Sequence, residues 1–171
     1  LGIRIITLTN RTGAYAGQIA NRGNQAHQIS RLIAEMVNID VPTVAVILGN
    51  GYSGGAIPLA AANLLLSVRD GVFNTIHPSG LASIARKLNL SWHECARFVG
   101  VSAMELFSEA IIDGIIDFVP GEDQAELDNL KSALTTAVEC VEGGNLDFVR
   151  RTPEIHDHYR RSVLRFIDPS P

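Results

Sequence analysis

An α/β fold built around a parallel sheet is the fold class that the amino-acid sequence predicts. Three times, a strand-like run is followed by a turn rich in Gly, Pro or Ser and then by a helix start, after Thr9, Leu48 and Ile76. The run Val41–Leu48 is almost continuously apolar, as in a parallel strand that is covered on both faces. Repeated strand–helix units of this kind are expected to join by parallel crossovers.

The overall composition narrows the class of protein. A chain of 171 residues with 46% hydrophobic residues is long and apolar enough for one globular domain with a sizeable core. Its net charge of −4 argues against a dedicated nucleic-acid surface. The uncharged stretch Val41–Val68 is broken by Pro and Gly, which favours buried elements over a membrane span. We therefore expect a cytoplasmic protein without membrane or nucleic-acid contacts.

The first half of the chain contains two strand–helix units. The β-branched run Ile3–Thr9 predicts a strand, and a polar loop follows it. Apolar residues at helical spacing predict a helix over Gln25–Val37. After the strand Val41–Leu48, the segment GNGYSGGA, Gly49–Ala56, is predicted to be a turn. The alanine- and leucine-rich segment Ala56–Leu66 is predicted to be the next helix.

The second half begins with a short predicted strand, Gly71–Ile76, and a helix over the segment LASIARKL. Ser91 and Ser102 are expected to cap two short amphipathic helices. The second half of AIIDGIIDFVP has strand character. A long helix is predicted over Glu122–Glu142, ended by two glycines, and a basic surface helix or arm over Asn145–Phe166.

Other features concern the chain's extent and its reactive side chains. Because the sequence opens directly with a strand-like run and no Met, we expect it to be truncated at its N-terminus. Cys95 and Cys140 lack metal-type spacing and are expected to be buried, reduced thiols. The pair His156 and His158 suggests a metal only superficially, because residues two apart on a helix point in different directions. We expect no metal site.

The segment GNGYSGGA supports two different chemistries. At a helix start the first backbone N–H groups are unpaired and carry the positive end of the helix dipole, so Gly54, Gly55 and Ala56 are candidate oxyanion donors. The alternative without a functional role is a tight glycine turn that allows close helix packing. We expect the three helix starts to converge at one edge of the sheet, where α/β proteins bind ligands.

The same segment also fits the G-x-S-x-G elbow, which would make Ser53 a nucleophile. That interpretation needs an acid such as Asp113 or Asp117 and a base such as His156 or His158. We favour the backbone donors, because nothing in the sequence holds those histidines over the serine. His77 and Tyr15 are further candidates for the pocket wall; an ordinary loop histidine and a packed tyrosine are the alternatives.

Four ordered blocks resemble the carboxyltransferase α subunits of bacterial acetyl-CoA carboxylase, within the crotonase-like superfamily. The family's DTPGAYPG segment is matched by NRTGAYAG, Asn10–Gly17, and its GEGGSGGA segment by GNGYSGGA. Its ISPEGCASI segment is matched by IHPSGLASI, Ile76–Ile84, and its LGVIDEIIPEP segment by LFSEAIIDGIIDFVP. The order and spacing hold over roughly residues 3–120.

The resemblance implies a crotonase-like ββα spiral and transfer of a carboxyl group between carboxybiotin and an acyl-CoA, of the acetyl-CoA to malonyl-CoA type. Paired backbone N–H groups would hold the oxyanions, with Gly54, Gly55 and Ala56 as the catalytic donors. Residues of the matched motifs would contact the cofactor or substrate: Gly13, Ala14, Tyr15, Gly51, Tyr52, Ser53, His77, Pro78 and Gly80.

The resemblance also implies partners. They are a carboxyltransferase β-type subunit, which supplies most of the acyl-CoA side of a shared active site, and a biotin carboxyl carrier protein that brings biotin, in an oligomer. We expect residues 1–120 to form the crotonase-like core and residues 121–171 a helical extension of the same domain.

The chain departs from the family pattern near the presumed site. Asp, Thr and Pro of DTP are Asn10, Arg11 and Thr12; the Glu of GEGG is Asn50; and the Glu of SPEG is Ser79. Alternatives within the same fold are an acyl-CoA hydrolase, isomerase or decarboxylase and a non-catalytic assembly module.

Overall fold

A parallel sheet forms the centre of the molecule in the computed structural model, which describes residues 3–119, 121 and 123–143. Every strand pair in it is parallel, as the sequence predicted. The strand order is β1-β2-β3-β5, and β4 also pairs with β2. The strands are β1 (Ile5–Arg11), β2 (Thr43–Tyr52), β3 (Leu64–Val68), β4 (Val72–Asn74) and β5 (Gly114–Ile116).

Helices connect these strands on both faces of the sheet. The helix Gln25–Val37 has the bounds that its apolar spacing predicts. The long predicted helix near the C-terminus is observed over residues 124–143 and is called α7 here. The others are α1 (Gln18–Arg22), α2 (Gln25–Val37), α3 (Ser53–Ala60), α4 (Pro78–Ile84), α5 (Trp92–Val99) and α6 (Ala103–Ser108), with a 3₁₀ turn at Arg86–Leu88.

β2 is long enough to take two successive partners along one side. Its residues Val44–Ile47 pair with β3, and its last three residues, Asn50–Tyr52, pair with β4. Gly71 lies between β3 and β4, where an added Cβ atom would approach the Ser67 hydroxyl oxygen to 2.1 Å. The chain therefore passes from one strand to the next without room for a side chain at the bend.

The core has two parts, one on each face of the sheet. Side chains alternate along β2, so Val44 and Val46 face one way and Ile47 the other. The first two belong to a cluster with Val68, Ile116 and residues of α7, whereas Ile47 packs with α6 through Ala103 and Leu106. β2 is thus covered on both faces, as its apolar run predicted.

Both predicted serine caps are confirmed. The Ser91 hydroxyl accepts a hydrogen bond from the Glu94 N–H, and the Glu94 carboxylate accepts one from the Ser91 N–H. Ser102 and Glu105 form the same reciprocal pair at the start of α6. The serine hydroxyls also donate to the glutamate carboxylates, and these hydrogen bonds, followed by those from the serine N–H groups, lower the pKa of both carboxyls.

The predicted helix Ala56–Leu66 is wrong beyond Ala60, because the chain turns there and forms β3. The Asn63 side chain holds this turn: its Oδ1 accepts hydrogen bonds from the Thr43 N–H at 2.7 Å and from the Thr43 hydroxyl at 2.9 Å. The alanine- and leucine-rich composition contains no Gly or Pro at this point. A contact with a residue twenty positions earlier decides where the helix ends.

The predicted turn GNGYSGGA is also corrected. Gly49–Tyr52 continue β2, and the helix begins directly at Ser53. Pairing with β1 and β4 on the two sides of these residues keeps them extended. Glycine-rich composition alone had suggested a turn.

The C-terminal part of the prediction is tested only as far as residue 143. There, α7 packs its apolar side chains against the sheet. The expectation of buried thiols is right for Cys95 and wrong for Cys140, which is exposed on α7. The predicted arm Asn145–Phe166 lies outside the described residues, as do His156 and His158. Among the helices that the structure describes, none has the length and apolar character to cross a membrane.

Candidate functional site

The carboxyl end of β2 brings together the loop after β1 and the start of α3. A Cβ atom added to Gly55 would lie 2.8 Å from the Gly13 carbonyl carbon and 2.9 Å from the Ala14 nitrogen. One added to Gly13 would lie 3.4 Å from the Ser53 Cβ atom. The two backbones therefore touch, and a side chain on Gly55 would separate them.

The segment after β4 reaches the same place. The rings of Tyr52 and His77 meet edge to face, with centroids 4.7 Å apart. Tyr52 is the last residue of β2 and only 4% exposed, and burial raises the pKa of its phenol, so it stays uncharged near neutral pH. The starts of α3 and α4 thus meet as predicted, whereas the segment after β1 contributes the loop residues Gly13 and Ala14 and not a helix start.

The first residues of α3 differ in exposure: Gly54 and Gly55 are partly exposed, whereas Ala56 is fully buried. Within the described part of the chain, no hydrogen bond engages the backbone N–H of Gly54, Gly55 or Ala56. The N–H groups of Gly54 and Gly55 are among those that an α-helix leaves without intrahelical partners at its start, whereas in a regular helix the Ala56 N–H would bind the carbonyl oxygen of the N-cap residue Tyr52. Because α3 follows β2 directly, its N-terminus and positive dipole end lie at the sheet edge.

Ser53 holds an unusual backbone conformation at this point. Its φ is 60°, in the left-handed region that residues other than Gly rarely adopt. The strained residue is the first of α3 and connects a strand to a helix without any intervening loop. Strain of this type clusters at ligand-binding and catalytic sites.

The glycines of the segment also have packing roles. A Cβ atom on Gly54 would meet the Ile29 side chain of α2 at 3.0 Å, and one on Gly51 would meet the Phe73 ring at 2.8 Å. Close packing is therefore supported for these two glycines, although Gly51 lies in β2 and Gly54 in α3 and neither lies in a turn. This packing is compatible with N–H groups that bind a ligand, because the neighbouring side chains contact the Cα atom of each glycine and not its N–H group.

Three other predicted site residues have different surroundings. Tyr15 is 69% exposed, and its ring covers Gly17 of its own loop, where an added Cβ would lie 2.2 Å away. Pro78 is the buried first residue of α4, and Gly80 in the same helix packs near Ile76. Tyr15 is thus folded over its own loop.

The structure does not bring the predicted acids to Ser53. Asp113 accepts a hydrogen bond from the Leu65 N–H at 2.7 Å, at the amino ends of β3 and β5. Leu65 pairs with Ala45, seven residues before Tyr52 on β2, so Asp113 lies at the opposite end of the sheet. Asp117 pairs with Arg69 instead. Among the described residues, none is hydrogen-bonded to the Ser53 hydroxyl.

One polar contact beside the site was missed. The Asn10 side-chain oxygen accepts a hydrogen bond from the Asn50 N–H at 3.1 Å and lies so close to Gly49 that an added Cβ would approach it to 2.7 Å. It joins the ends of β1 and β2 where their register shifts. Two Asn residues, each at the end of a strand-like run, were the only available signal.

The described residues contain no cluster of three or more His, Cys, Asp or Glu that could hold a metal. They do contain a groove of about 530 Å³ between β1 and α7, lined by Arg4, Ile6, Leu130 and Leu134 among others. An Arg4–Glu142 ion pair lies in this groove. It adjoins the amino end of β1 and is separate from the start of α3.

Known structures and sequences share this fold and these motifs. A Pseudomonas malonate decarboxylase hetero-tetramer in complex with coenzyme A superposes with a TM-score of 0.72 at 15% identity, covering 95% of this chain and 67% of the other. This likeness places the chain among crotonase-like α/β folds, as the sequence predicted. The chain belongs to the family described as acetyl co-enzyme A carboxylase carboxyltransferase-like, which it matches over residues 1–168.

Curated relatives agree with this membership. The α subunit of acetyl-coenzyme A carboxylase carboxyl transferase from Afipia carboxidovorans is 41% identical over 120 residues, 70% of this chain and 38% of that protein. A protein of Parafrankia sp., named as the acetyl-coenzyme A carboxylase carboxyl transferase subunits beta/alpha, is 34% identical over an alignment of 175 residues. The alignment covers all of this chain and 28% of that protein. The chain therefore spans well under half the length of these two relatives.

Proposed function

We propose that the chain acts as the α-type part of a biotin-dependent acyl-CoA carboxyltransferase, of the acetyl-CoA to malonyl-CoA type. The observation that carries this proposal is the family match over residues 1–168, which covers every segment that meets at the end of β2. The chain's relatives are named for this activity. Its fold supports the same class.

The residues at the start of α3 fit the chemistry of such a transfer. Biotin, when bound as the carboxylated group of a carrier, supplies a carboxyl group and an adjacent oxygen that gains negative charge as that group leaves. We assign the backbone N–H groups of Gly54, Gly55 and Ala56 to an oxyanion of this kind. Among the described residues these N–H groups have no acceptor, which supports the assignment most directly for the partly exposed Gly54 and Gly55; each such donor contributes about 2.7–4 kcal/mol to a transition state.

The neighbouring residues position these donors. Gly13 and Ala14 pack against Gly55 and fix the direction of the helix start. Gly51, Tyr52 and Ser53 connect it to the sheet, and His77 with the α4 residues Pro78 and Gly80 borders it from the side of β4. Tyr15, exposed on the loop, remains a candidate contact for biotin or the acyl-CoA.

The proposal includes two partners. A β-type subunit would provide the second half of the active site; the name of the Parafrankia relative, which combines beta and alpha subunits, supports it. A biotin carboxyl carrier protein would bring the cofactor. We place the reaction in the cytoplasm, and we propose an oligomeric assembly with residues 1–120 as its catalytic core.

The direct test is to mix the protein with candidate β-type subunits and measure malonyl-CoA-dependent carboxylation of free biotin. We expect activity only when both halves are present, because the donors on this chain stabilise only part of the charge. If no cognate partner produced activity while a stable complex formed, the chain would be a non-catalytic assembly module.

A second candidate function, acyl-CoA hydrolysis through Ser53, is favoured by the strained φ of 60° at that residue. The substitution Ser53→Ala separates the two functions. Backbone donors predict nearly unchanged turnover, whereas a nucleophilic serine predicts a loss of several orders of magnitude. Isomerase or decarboxylase activity would appear as conversion of the acyl-CoA without biotin.

A further inference from the structure

A change of register between β1 and β2 lies just before the candidate site. From Thr9 to Arg11, β1 advances by two residues, whereas its partner β2 advances by four, from Ile47 to Gly51. Asn10 is therefore the single residue of β1 that lies opposite three residues of β2. Bulges of this kind bend a strand, and they are over-represented next to active sites.

The Asn10 side chain fills this irregular point. Its oxygen accepts a hydrogen bond from the Asn50 N–H at 3.1 Å, and it lies 2.7 Å from the position that a Cβ atom on Gly49 would take. Gly49 thus leaves the space that the Asn10 side chain occupies. An apolar side chain in place of Asn10 would offer the Asn50 N–H no acceptor. The bulge is therefore built from one side-chain amide and one glycine.

The position of the bulge determines which residues meet at the end of the sheet. The loop after β1 reaches Gly13 three residues beyond Asn10, and α3 reaches Gly55 five residues beyond Asn50. These two glycines are in backbone contact, because a Cβ atom added to Gly55 would lie 2.8 Å from the Gly13 carbonyl carbon. A slip of the register by one residue would move the loop by about 3.3 Å along β2 and separate the two glycines.

We propose that Asn10 is a positioning residue for the carboxyl transfer. Its side chain fixes the register change, and the register change sets Gly13 and Ala14 against the start of α3, where the N–H groups of Gly54 and Gly55 lie. Asn10 acts through this loop and does not itself contact the reacting groups. A displacement of about 1 Å in a site can lower a rate by about 100-fold, so a hydrogen bond outside the site can control turnover. This inference rests on the proposed carboxyltransferase function.

The first test compares variants of the complete protein with its β-type partner, in the malonyl-CoA-dependent carboxylation of free biotin. Asn10→Ala removes the acceptor, whereas Asn10→Asp keeps an oxygen that can accept the Asn50 N–H. We expect kcat to fall by about tenfold or more in Asn10→Ala, with a smaller change in KM, and most of the loss to be restored in Asn10→Asp. Asn50→Ala is the control, because it removes an exposed amide side chain and keeps the backbone N–H. An unchanged kcat in Asn10→Ala, or an equal loss in Asn10→Asp, would overturn the inference and leave the proposed function standing.

A second substitution breaks the same contact from the other strand. The Cβ atom of Gly49→Ala would displace the Asn10 oxygen, which is the end of a flexible side chain, so this variant should lose turnover by a similar factor. Because both substitutions remove one contact, a protein that carries Asn10→Ala and Gly49→Ala together should be no slower than the slower single variant. Additive losses would show that the two residues act separately and would overturn the inference.

Nuclear magnetic resonance of the full chain keeps the inference testable if turnover is absent. Asn10→Ala should speed hydrogen exchange at the Asn50 N–H and shift the N–H signals of Gly54 and Gly55, whereas Asn10→Asp should leave all three close to those of the parent. This result would support the positioning of the helix start by Asn10 even if no acyl-CoA were carboxylated, an outcome that would overturn only the proposed function. Faster exchange at Asn50 without a shift at the two glycines would overturn the inference itself.

Discussion

The carboxyl end of β2 and the amino ends of β3 and β5 use their polar groups in opposite ways. At the start of α3, the N–H groups of Gly54 and Gly55 have no acceptor among the described residues, and Ser53 holds a left-handed φ. At the other end, the Asp113 carboxylate accepts the Leu65 N–H, and the Asp113 N–H binds the Leu65 carbonyl oxygen at 2.7 Å. Polar groups are hydrogen-bonded within the fold at one end, and at the other end the N–H groups have no acceptor among the described residues.

The difference shows that the groups able to bind a ligand and the groups that stabilise the fold lie at different edges of the same sheet. Unpaired donors and backbone strain lower the stability of the free protein. Part of this free energy is regained when a ligand binds to the donors. Internally satisfied polar groups stabilise the fold and have little capacity for a substrate. Substitutions at the two ends should therefore change different measured quantities.

The largest expected effect is that of Gly55→Ala. Its Cβ atom would lie within 3 Å of the Gly13 and Ala14 backbones, so the helix start must move and misplace the donors. We expect turnover of the assembled enzyme to fall roughly 100-fold or more. Gly54→Ala should cost less, because the flexible Ile29 side chain can give way. Gly143→Ala, where an added Cβ atom would meet no atom of the described residues within 4 Å, is the control; equal turnover in all three would contradict the proposed role.

Asp113→Ala probes the opposite end. The substitution leaves the partly buried Leu65 N–H without its acceptor, which should lower the free energy of unfolding by about 1–3 kcal/mol. Denaturant unfolding measures this loss, and turnover per folded molecule should stay unchanged. A variant as stable as the parent would show that water replaces the carboxylate at this strand end.

Ser53→Gly addresses the strain beside the donors. Glycine adopts a φ of 60° without the steric cost that a side chain meets, a cost of about 1–2 kcal/mol, although its unfolded state has more conformational freedom. We expect the free energy of unfolding to rise by up to about 1 kcal/mol, measured by denaturant unfolding. A clear destabilisation would mean that the Ser53 side chain makes a stabilising contact.

The pH dependence of stability should also distinguish the two ends. Burial raises the pKa of Asp113 above its ordinary value of 3.8, so between that value and the raised pKa the folded chain binds more protons than the unfolded chain. The contribution of this group to stability therefore decreases as the pH rises through that interval.

Asp113→Asn cannot titrate and should lose this component. The measurement is the difference in the free energy of unfolding between the parent and Asp113→Asn across the acid range. Glu94 and Glu105, whose pKa values are lowered, contribute stability that is lost as the pH falls through those lowered values, and they are common to both proteins. A difference that does not change with pH would contradict the raised pKa.

The smallest effect is expected at the Arg69–Asp117 ion pair. Both side chains are mostly exposed, at 56% and 81%, so solvent screens their interaction. Arg69→Gln should change the free energy of unfolding by less than about 1 kcal/mol and leave turnover unaffected. A larger loss would show that this edge of the sheet is less tolerant than its exposure suggests.

Much of the fold could be predicted because its signals are local. The spacing of apolar residues determines α2, the apolar run determines the buried part of β2, and Ser91 and Ser102 identify two helix starts through their capping boxes. The four ordered blocks similarly identify the family. Each signal depends on residues that are close in the sequence, or on their order.

The errors arose where distant residues decide the conformation. Local composition favours a helix through Leu66, but the Asn63–Thr43 contacts end the helical segment and allow β3 to pair with β2. Glycine content favours a turn over Gly49–Tyr52, but β1 and β4 hold those residues extended. Local propensity is a small preference, and tertiary hydrogen bonds exceed it.

The sequence by itself thus determined the α/β class, most helix positions and the segments that build the candidate site. Only the tertiary structure decided that Gly55 touches the Gly13 backbone, that the rings of Tyr52 and His77 meet, and that Asp113 lies far from Ser53. The physical reason is strand register: which residues meet at a sheet edge depends on how separate strands align, and a single strand does not encode that alignment.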